Sequence, residues 1–231
     1  MLGLTHLNRY QAFGIHFLAS LVVFAILTAL IFFYWFPGIL RVADPSWQQI
    51  LIVIAGVDLV LGPALTLIIF NPAKKSLKMD LSIIAALQIA ALAYGSYTVH
   101  NTRPLALSLS FPAAGFEILY HDKVTPELAD FIQQNPPSQK TACTKLYIYT
   151  GDAPFGVDIT KLATEDLTEL PSDNFADWMK KKNGADFLTE DIYTLPLGFS
   201  SSYQVNLSTT GELIGWKSII KTSTQTPADS K

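Results

Sequence analysis

Three long apolar stretches dominate the N-terminal part of the chain. They run from about residue 15 to 36, from 46 to 70 and from 80 to 99. At 1.5 Å of rise per residue, about 20 helical residues cross the hydrocarbon core of a bilayer. The pattern therefore predicts three transmembrane α-helices. A cleaved signal peptide is the alternative for the first stretch, but its end at Tyr34-Trp35-Phe36 is more typical of a membrane interface than of a cleavage site.

The pattern changes to short alternating runs after Arg103-Pro104. We predict strands over 105–111, 116–121 and 145–150, and a hairpin of 203–208 with 213–220 around Gly211. A helix over 126–134 follows Thr125, a favoured N-cap residue, and Pro126, a favoured first helical residue. Short helices are predicted near 158–167 and 173–182. The predicted fold is an integral membrane protein with three transmembrane α-helices (residues 1–103) followed by an α+β extracytoplasmic domain (104–221) and a disordered tail (222–231).

Composition and charge support this division. Half of the 231 residues are hydrophobic and only 15% are charged, which is unusual for a soluble domain. Lys74, Lys75 and Lys78 crowd the connection between the second and third stretches, so the positive-inside rule places this loop and the N-terminus in the cytoplasm and residues 100–231 outside. The outer region is net acidic, which argues against nucleic acid as a partner. Cys143 is the only cysteine, so an intramolecular disulfide is excluded; we interpret it as buried.

An acidic residue, Asp58, lies at the midpoint of the second stretch. A charge at that depth is costly, so it should face protein. Helical spacing places Ala55, Gly62 and Thr66 on the same face, giving a small and polar stripe of the kind that packs against another helix. Pro63 removes one backbone donor beside it and predicts a kink.

Polar residues on the other two stretches leave three interpretations open for this stripe. The third stretch carries Gln88, and the first begins with His16 and Ser20 four residues apart. These groups could satisfy one another inside a three-helix bundle. Alternatively, Asp58 faces the transmembrane helix of a partner. A proton or ion pathway is a third interpretation, although three helices offer few acidic groups for a relay.

Motifs for catalysis and for cofactors give no signal. The chain contains no G-x-S-x-G, no phosphate-binding glycine-rich loop and no H-E-x-x-H. Its four histidines are scattered, so we predict no metal site. The acidic pairs Glu165-Asp166 and Glu190-Asp191 are interpreted as solvated surface, and Lys180-Lys181-Lys182 as the last turn of a helix. We therefore expect no enzymatic activity and no cofactor.

The membrane part resembles a known family, the type IV pilin accessory proteins of the TfpX/TfpZ group. The resemblance covers about residues 9–104, and its most specific elements are the intramembrane acid, the Gly-Pro kink and the terminal Arg-Pro in this order. The segments that carry it are Arg9, Ala12-Phe13-Gly14-Ile15-His16, Trp35-Phe36-Pro37, Val57-Asp58, Gly62-Pro63, Leu65-Thr66-Leu67, Phe70, Lys75, Asp80-Leu81, Gln88, Ala91-Leu92, Tyr94-Gly95 and Arg103-Pro104.

The resemblance implies a multi-pass protein of the bacterial inner membrane, with its C-terminal domain in the periplasm, that assists a major type IV pilin as a pilin-specific chaperone or assembly modulator. We hypothesise that the stripe around Asp58 contacts the pilin's transmembrane helix while the outer domain contacts its periplasmic head. The partner-binding candidates are Asp58, Gly62, Thr66, Gln88 and Arg103. The alternatives are a membrane sensor or scaffold with an extracytoplasmic binding domain, and a membrane enzyme acting on pilin or envelope material. The oligomeric state is not predicted.

Overall fold

The structure is a computed structural model that describes residues 7–110, 115–135, 144–151, 157–182, 184–197 and 203–219. The chain divides into two compact units, one of Met1–Pro104 with Tyr120–Asp122 and one of Leu105–Leu119 with Lys123–Lys231. Two sequence-based interpretations, the buried Cys143 and the disordered tail over 222–231, fall outside the described residues.

Three helices of the first unit are long and apolar enough to cross a membrane, which confirms the three predicted helical stretches. They span Arg9–Trp35, Ser46–Ile69 and Leu77–Thr102. The first and second are not uniform, because each contains a π-helical segment in which the backbone hydrogen bonds join residues five apart. The elements are α1 (Arg9–Leu30), a π-helix (Ile31–Trp35), α2 (Leu40–Ala43), α3 (Ser46–Ile54), a second π-helix (Ala55–Leu61), α4 (Gly62–Ile69) and α5 (Leu77–Thr102).

Local interactions favour the starts of the first and third helices. The Asn8 side chain accepts a hydrogen bond from the Gln11 N–H at 2.8 Å, and the Gln11 side chain accepts one from the Asn8 N–H at 3.0 Å, forming a capping box. The third helix begins at Leu77, which places Asp80 in its first turn beside Lys74 at 2.5 Å. A carboxylate there interacts favourably with the helix dipole.

The aromatic end of the first helix is partly buried. Trp35 and Phe36 are buried against Leu27, Ile31 and Val99. Only Phe33 and Tyr34 are exposed, at 82% and 67%. Two aromatic side chains of this segment thus pack within the helical unit, and the interface position expected for the segment stays a prediction.

The second unit begins with a four-stranded sheet of order β2-β1-β3-β4. Its strands are β1 (Pro104–Ser110), β2 (Gly115–Tyr120), β3 (Lys145–Tyr149) and β4 (Leu167–Glu169). β1 and β3 are parallel and β3 and β4 antiparallel. Helix α6 (Pro126–Gln134) precedes β3 and packs Leu128 and Ile132 into a core with Ala106, Leu119 and Tyr147. The predicted start of α6 is confirmed, since the Thr125 hydroxyl accepts from the Leu128 N–H.

A second, antiparallel sheet has the order β5-β6-β7-β8. Its strands are β5 (Leu188–Thr189), β6 (Ile192–Pro196), β7 (Tyr203–Ser208) and β8 (Leu213–Ser218). The predicted hairpin is confirmed by the pairing of β7 with β8. Gly211 lies in its turn at φ 83°, a conformation that glycine adopts without strain. Helix α7 (Phe175–Lys181) confirms the helix predicted near 173–182, and its buried Phe175 stacks edge-on against Tyr193 of β6.

The helix predicted near 158–167 is wrong. This stretch forms two single 3₁₀ turns, Ile159–Lys161 and Thr164–Asp166, and then enters β4. Asp158 and Asp166 bond to nearby backbone N–H groups of Thr160 and Ala163, which competes with a regular helix. The strands β4, β5 and β6 were not predicted.

Candidate functional site

The sequence-predicted stripe of the second long helix faces the inside of the helical bundle. Asp58, Gly62 and Thr66 are buried, whereas Val60, Leu61 and Ile68 on the same helix are exposed. Asp58 lies inside the π-helix Ala55–Leu61, five residues before Pro63. The structure places a π-helix before Pro63, and π-helical turns occur often at functional sites.

A hydrogen-bonded network connects all three long helices at this level. The Nδ1 atom of His16 lies 2.6 Å from the Thr66 hydroxyl, and its Nε2 atom lies 2.9 Å from Oε1 of Gln88. The amide oxygen of Gln88 can only accept, so Nε2 of His16 carries the hydrogen of that bond. Thr66 also reaches the backbone carbonyl of Gly62 at 3.1 Å. The prediction that these polar groups hydrogen-bond to one another inside the bundle is therefore confirmed for His16, Thr66 and Gln88.

Gly62 allows this network to form. A Cβ atom at position 62 would lie 2.7 Å from Cδ of Gln88, well inside van der Waals contact. The φ of Gly62 is −60°, which every residue adopts easily, so the close approach of the amide and not the backbone conformation requires a glycine here. Gly56 and Gly95, on the second and third helices, have open space at the same position.

Asp58 stands apart from this network. It is only 6% exposed, yet within the described residues its carboxylate has no hydrogen-bond partner. Both ring nitrogens of His16 are engaged by Thr66 and Gln88, so His16 donates no hydrogen bond to Asp58. The Asp58 oxygens keep a small accessible surface, but a carboxylate that is removed from most of the water and accepts no hydrogen bond is still costly.

The carboxylate of Asp58 lines a cavity of about 170 Å³ between the first and third long helices. Its polar lining consists of His16, Ser20, Asp58 and Gln88, and the remaining lining is aliphatic. Val23 and Ile89 border the cavity and are 40% and 67% exposed, so its edge reaches the outer surface of the bundle. A second cavity, of about 260 Å³, lies on the other side of His16 and is lined by residues that include Thr66 and Phe70.

Arg103, the fifth candidate, lies away from this cavity, directly after the third long helix. It is 5% exposed, and its guanidinium donates to the backbone carbonyl of His100. Its own carbonyl accepts from the His121 N–H at 3.1 Å. These contacts connect the helix end to the segment Tyr120–Asp122, and partner binding by Arg103 stays a prediction.

A buried acid and a tyrosine form a second polar pair in the first unit. Asp44 is 7% exposed and accepts from the Ser46 N–H at 2.9 Å, at the start of the second long helix. Burial, followed by the charge of Asp44 and a hydrogen bond to it, raises the pKa of Tyr120 to about 12. His100 and His121 lie nearby with ring centroids 5.9 Å apart. No group of three or more metal-ligating side chains occurs among the described residues.

Sequence reasoning found the stripe but underestimated His16. The signal was present, because His16 and Ser20 are polar side chains near the start of the first apolar stretch and are four residues apart. They share one face of the helix, and both line the cavity. Which of the several polar groups would remain unpartnered depends on side-chain reach and could not be read from spacing.

Comparison with known proteins gives relatives from one organism. The chain is 41% identical over 96 residues to the fimbrial assembly protein of serogroups C1 and C2 of Dichelobacter nodosus, a match that covers 41% of this chain and 72% of that protein. The chain belongs to the fimbrial assembly protein family. The fimbrial assembly proteins of serogroups I and E1 are 42% and 41% identical over 96 residues, which is 37% of the length of each. No protein-family model and no solved structure matches the chain.

Proposed function

We propose that this protein is an inner-membrane accessory protein of type IV pilus assembly that binds the major pilin while the pilin is still held in the membrane. In this proposal it acts as a pilin-specific chaperone or assembly modulator, as the TfpX/TfpZ resemblance implies. Membership in the fimbrial assembly protein family supports a role in pilus biogenesis. The pilin as partner and the step of assembly are the parts that need a direct test.

The surface of the helical unit supports the membrane location. In the most apolar part of each long helix, at most 22% of the residues are buried. Large apolar side chains such as Ile26, Ile52 and Leu87 are more than half exposed, and a surface of this kind is stable against lipid but not against water. The cluster of Lys74, Lys75 and Lys78 between the second and third helices supports a cytoplasmic position for that loop.

One observation carries the partner proposal, the unpartnered carboxylate of Asp58 at the middle of a helical bundle. Asp58 is twelve residues from the start of the 24-residue second helix, so it lies about 18 Å from that end, near the bilayer centre. An acid kept at that depth without an internal donor is a feature of binding or transport sites more than of packing. A pilin held in the membrane as a hydrophobic helix is a partner of matching geometry.

Photocrosslinking in intact cells of a piliated host tests this proposal. A photoreactive residue replaces Ile89, which borders the cavity, or Ile68, which is equally apolar and 76% exposed but does not. We expect a major-pilin adduct from position 89, several-fold stronger than from position 68, and its loss in a strain without the pilin gene. A third position in the outer domain, Glu190, tests contact with the pilin head. Adducts of the chain with itself alone would contradict the proposal.

A further inference from the structure

We infer that the cavity at Asp58 receives one hydrogen-bond-donating side chain from the transmembrane helix of the partner protein. The inference rests on the proposed function for the identity of that partner as a pilin. It narrows the binding surface, because it assigns recognition to Asp58 and the edges of the first and third helices. Gly62, Thr66 and Gln88, which the sequence also suggested, are occupied inside the bundle.

The size of the cavity sets what can enter. A cavity of about 150 Å³ accepts a molecule as large as benzene. The cavity at Asp58, at about 170 Å³, therefore holds one side chain and not a segment of helix backbone. The partner helix itself must remain outside, packed along the exposed edge formed by Val23 and Ile89.

The polar groups that line the cavity determine which kind of partner side chain can bind there. Asp58 offers only acceptor atoms when ionised, and no donor among the described residues reaches it. Nε2 of His16 is engaged with Oε1 of Gln88. The Ser20 hydroxyl and the Gln88 amide N–H belong to the same lining, but neither makes a hydrogen bond to Asp58. The group that is missing from this site is a donor, such as a hydroxyl, an amide N–H, a protonated carboxyl or an ammonium, and an apolar side chain would leave Asp58 as costly as it is now.

The location of the opening sets where the occupant comes from. The side chains at its edge, Val23 and Ile89, belong to the apolar outer surfaces of two helices that are long enough to cross a membrane. A polar group reaching this opening must be carried through lipid by a helix that satisfies its own backbone hydrogen bonds. A transmembrane helix meets this condition, whereas a soluble ligand or an extended peptide does not.

Two measurements on full-length Asp58→Leu test the inference. Leucine has nearly the shape of aspartate and removes the unpartnered carboxylate. In the purified protein in detergent, without partner, we expect an unchanged or higher melting temperature, because no internal bond is lost. In cells, we expect the partner adduct from a photoreactive residue at position 89 to fall about tenfold, a change typical of one hydrogen bond between membrane helices or to a charged group. Asp58→Asn keeps one acceptor oxygen, so its adduct yield should lie between those of the unmodified protein and Asp58→Leu.

Ala85→Leu provides a second variant that leaves Asp58 in place. Ala85 lines the same cavity, so the larger side chain fills the space that the partner's side chain needs. We expect the same fall in adduct with no loss of melting temperature. Ser82→Leu, an exposed substitution three residues earlier on the same helix, is the matched control and should leave the adduct unchanged.

The outcomes separate this inference from the proposed function. A pilin adduct that is unaffected by Asp58→Leu and Ala85→Leu would overturn the inference, with only water in the cavity, and leave the proposed function standing. A lower melting temperature of purified Asp58→Leu would also overturn it, because Asp58 would then have an internal partner. An adduct with a protein other than the pilin that depends on Asp58 would support the inference and contradict the proposed function.

Discussion

Gln88 of the third long helix lies directly against Gly62 of the second, where any other residue would place a side chain. The two helices approach closely at this point, and the approach holds the Gln88 amide within 2.9 Å of His16 on the first helix. Small residues in membrane proteins commonly permit contacts of this kind, and polar side chains then bond across the helices. The pair Gly62 and Gln88 is therefore the point at which packing and hydrogen bonding in the bundle depend on each other.

Gly62→Ala should destabilise the bundle. The new Cβ would lie 2.7 Å from Cδ of Gln88, so the amide must move and its bond to His16 is lost. Because a glycine-to-alanine change favours a helix at both positions, the effect is read against Gly95→Ala, and Gly62→Ala should be about 1 kcal/mol less stable than that variant. Thermal unfolding of the full chain in detergent measures the effect. Gly95→Ala is the control, because a Cβ there meets nothing within 4 Å and alanine favours the helix.

A double-mutant cycle with Gln88→Ala identifies the cause. With the amide removed, adding Gly62→Ala should cost little or nothing more. Equal losses from Gly62→Ala with and without Gln88 would show that the contact between these two residues is not responsible.

The hydroxyl of Thr66 should contribute to the same network. Thr66→Val keeps the shape of the side chain but leaves Nδ1 of His16, 2.6 Å away, without its partner. We expect a loss of about 0.6–2 kcal/mol, the range for hydrogen bonds between membrane helices. Thr66→Ser keeps the hydroxyl and should retain most of the stability. If the valine and serine variants melt at the same temperature, the hydroxyl does not stabilise the bundle.

Tyr120 gives the first unit a pH dependence at alkaline pH. Its folded-state pKa of about 12 exceeds the ordinary value of 10.0, first because of burial and then because of Asp44. The neutral form is favoured in the fold, so its contribution to stability is complete below pH 10 and is lost as the pH rises to about 12. Tyr120→Phe removes the bond to Asp44 and should cost about 1–3 kcal/mol at neutral pH.

The comparison of the two proteins over pH is the measurement that isolates Tyr120. The stability difference between the unmodified protein and Tyr120→Phe should narrow as the pH rises from 10 to 12, because other tyrosines and lysines titrate equally in both. A difference that stays constant over this range would show that Tyr120 has no raised pKa in the folded state.

The helical unit was largely predictable because its signals are local and periodic. Length and hydropathy define the three helices, and i, i+4 spacing placed Asp58, Gly62 and Thr66 on one buried face. The π-helices were not predictable, since no residue pattern separates five-residue from four-residue hydrogen bonding. Trp35 lies inside the first π-helix and Phe36 directly after it, and both are buried, while the stripe stays on its predicted face.

The missed strands had weaker signals. β6 alternates as expected for a half-buried strand, with Tyr193 and Leu195 buried, but its preceding turn is Glu190-Asp191. Both residues have positive φ, 51° and 63°, a conformation that usually calls for asparagine or glycine. Two acidic residues there predicted solvated surface, and both are exposed. Because they do not match the usual residues of such a turn, the hairpin of β5 and β6 was not predicted. β4 has three residues and takes its conformation from pairing with β3, a contact far away in sequence.

The lysines in the connection between the second and third long helices predict how the chain is oriented in the membrane. Lys75 is exposed in that connection and Glu190 is exposed in the turn between β5 and β6. If the positive-inside rule holds, Lys75 is cytoplasmic and Glu190 is periplasmic. Because Cys143 is the only cysteine, Cys143→Ser gives a background in which Lys75→Cys and Glu190→Cys each provide one reactive thiol. A membrane-impermeant maleimide added to spheroplasts should label Glu190→Cys, and should label Lys75→Cys only after lysis. The reverse result would place the α+β unit in the cytoplasm, where it could not meet the periplasmic head of a pilin, and the proposed two-compartment contact would have to be abandoned.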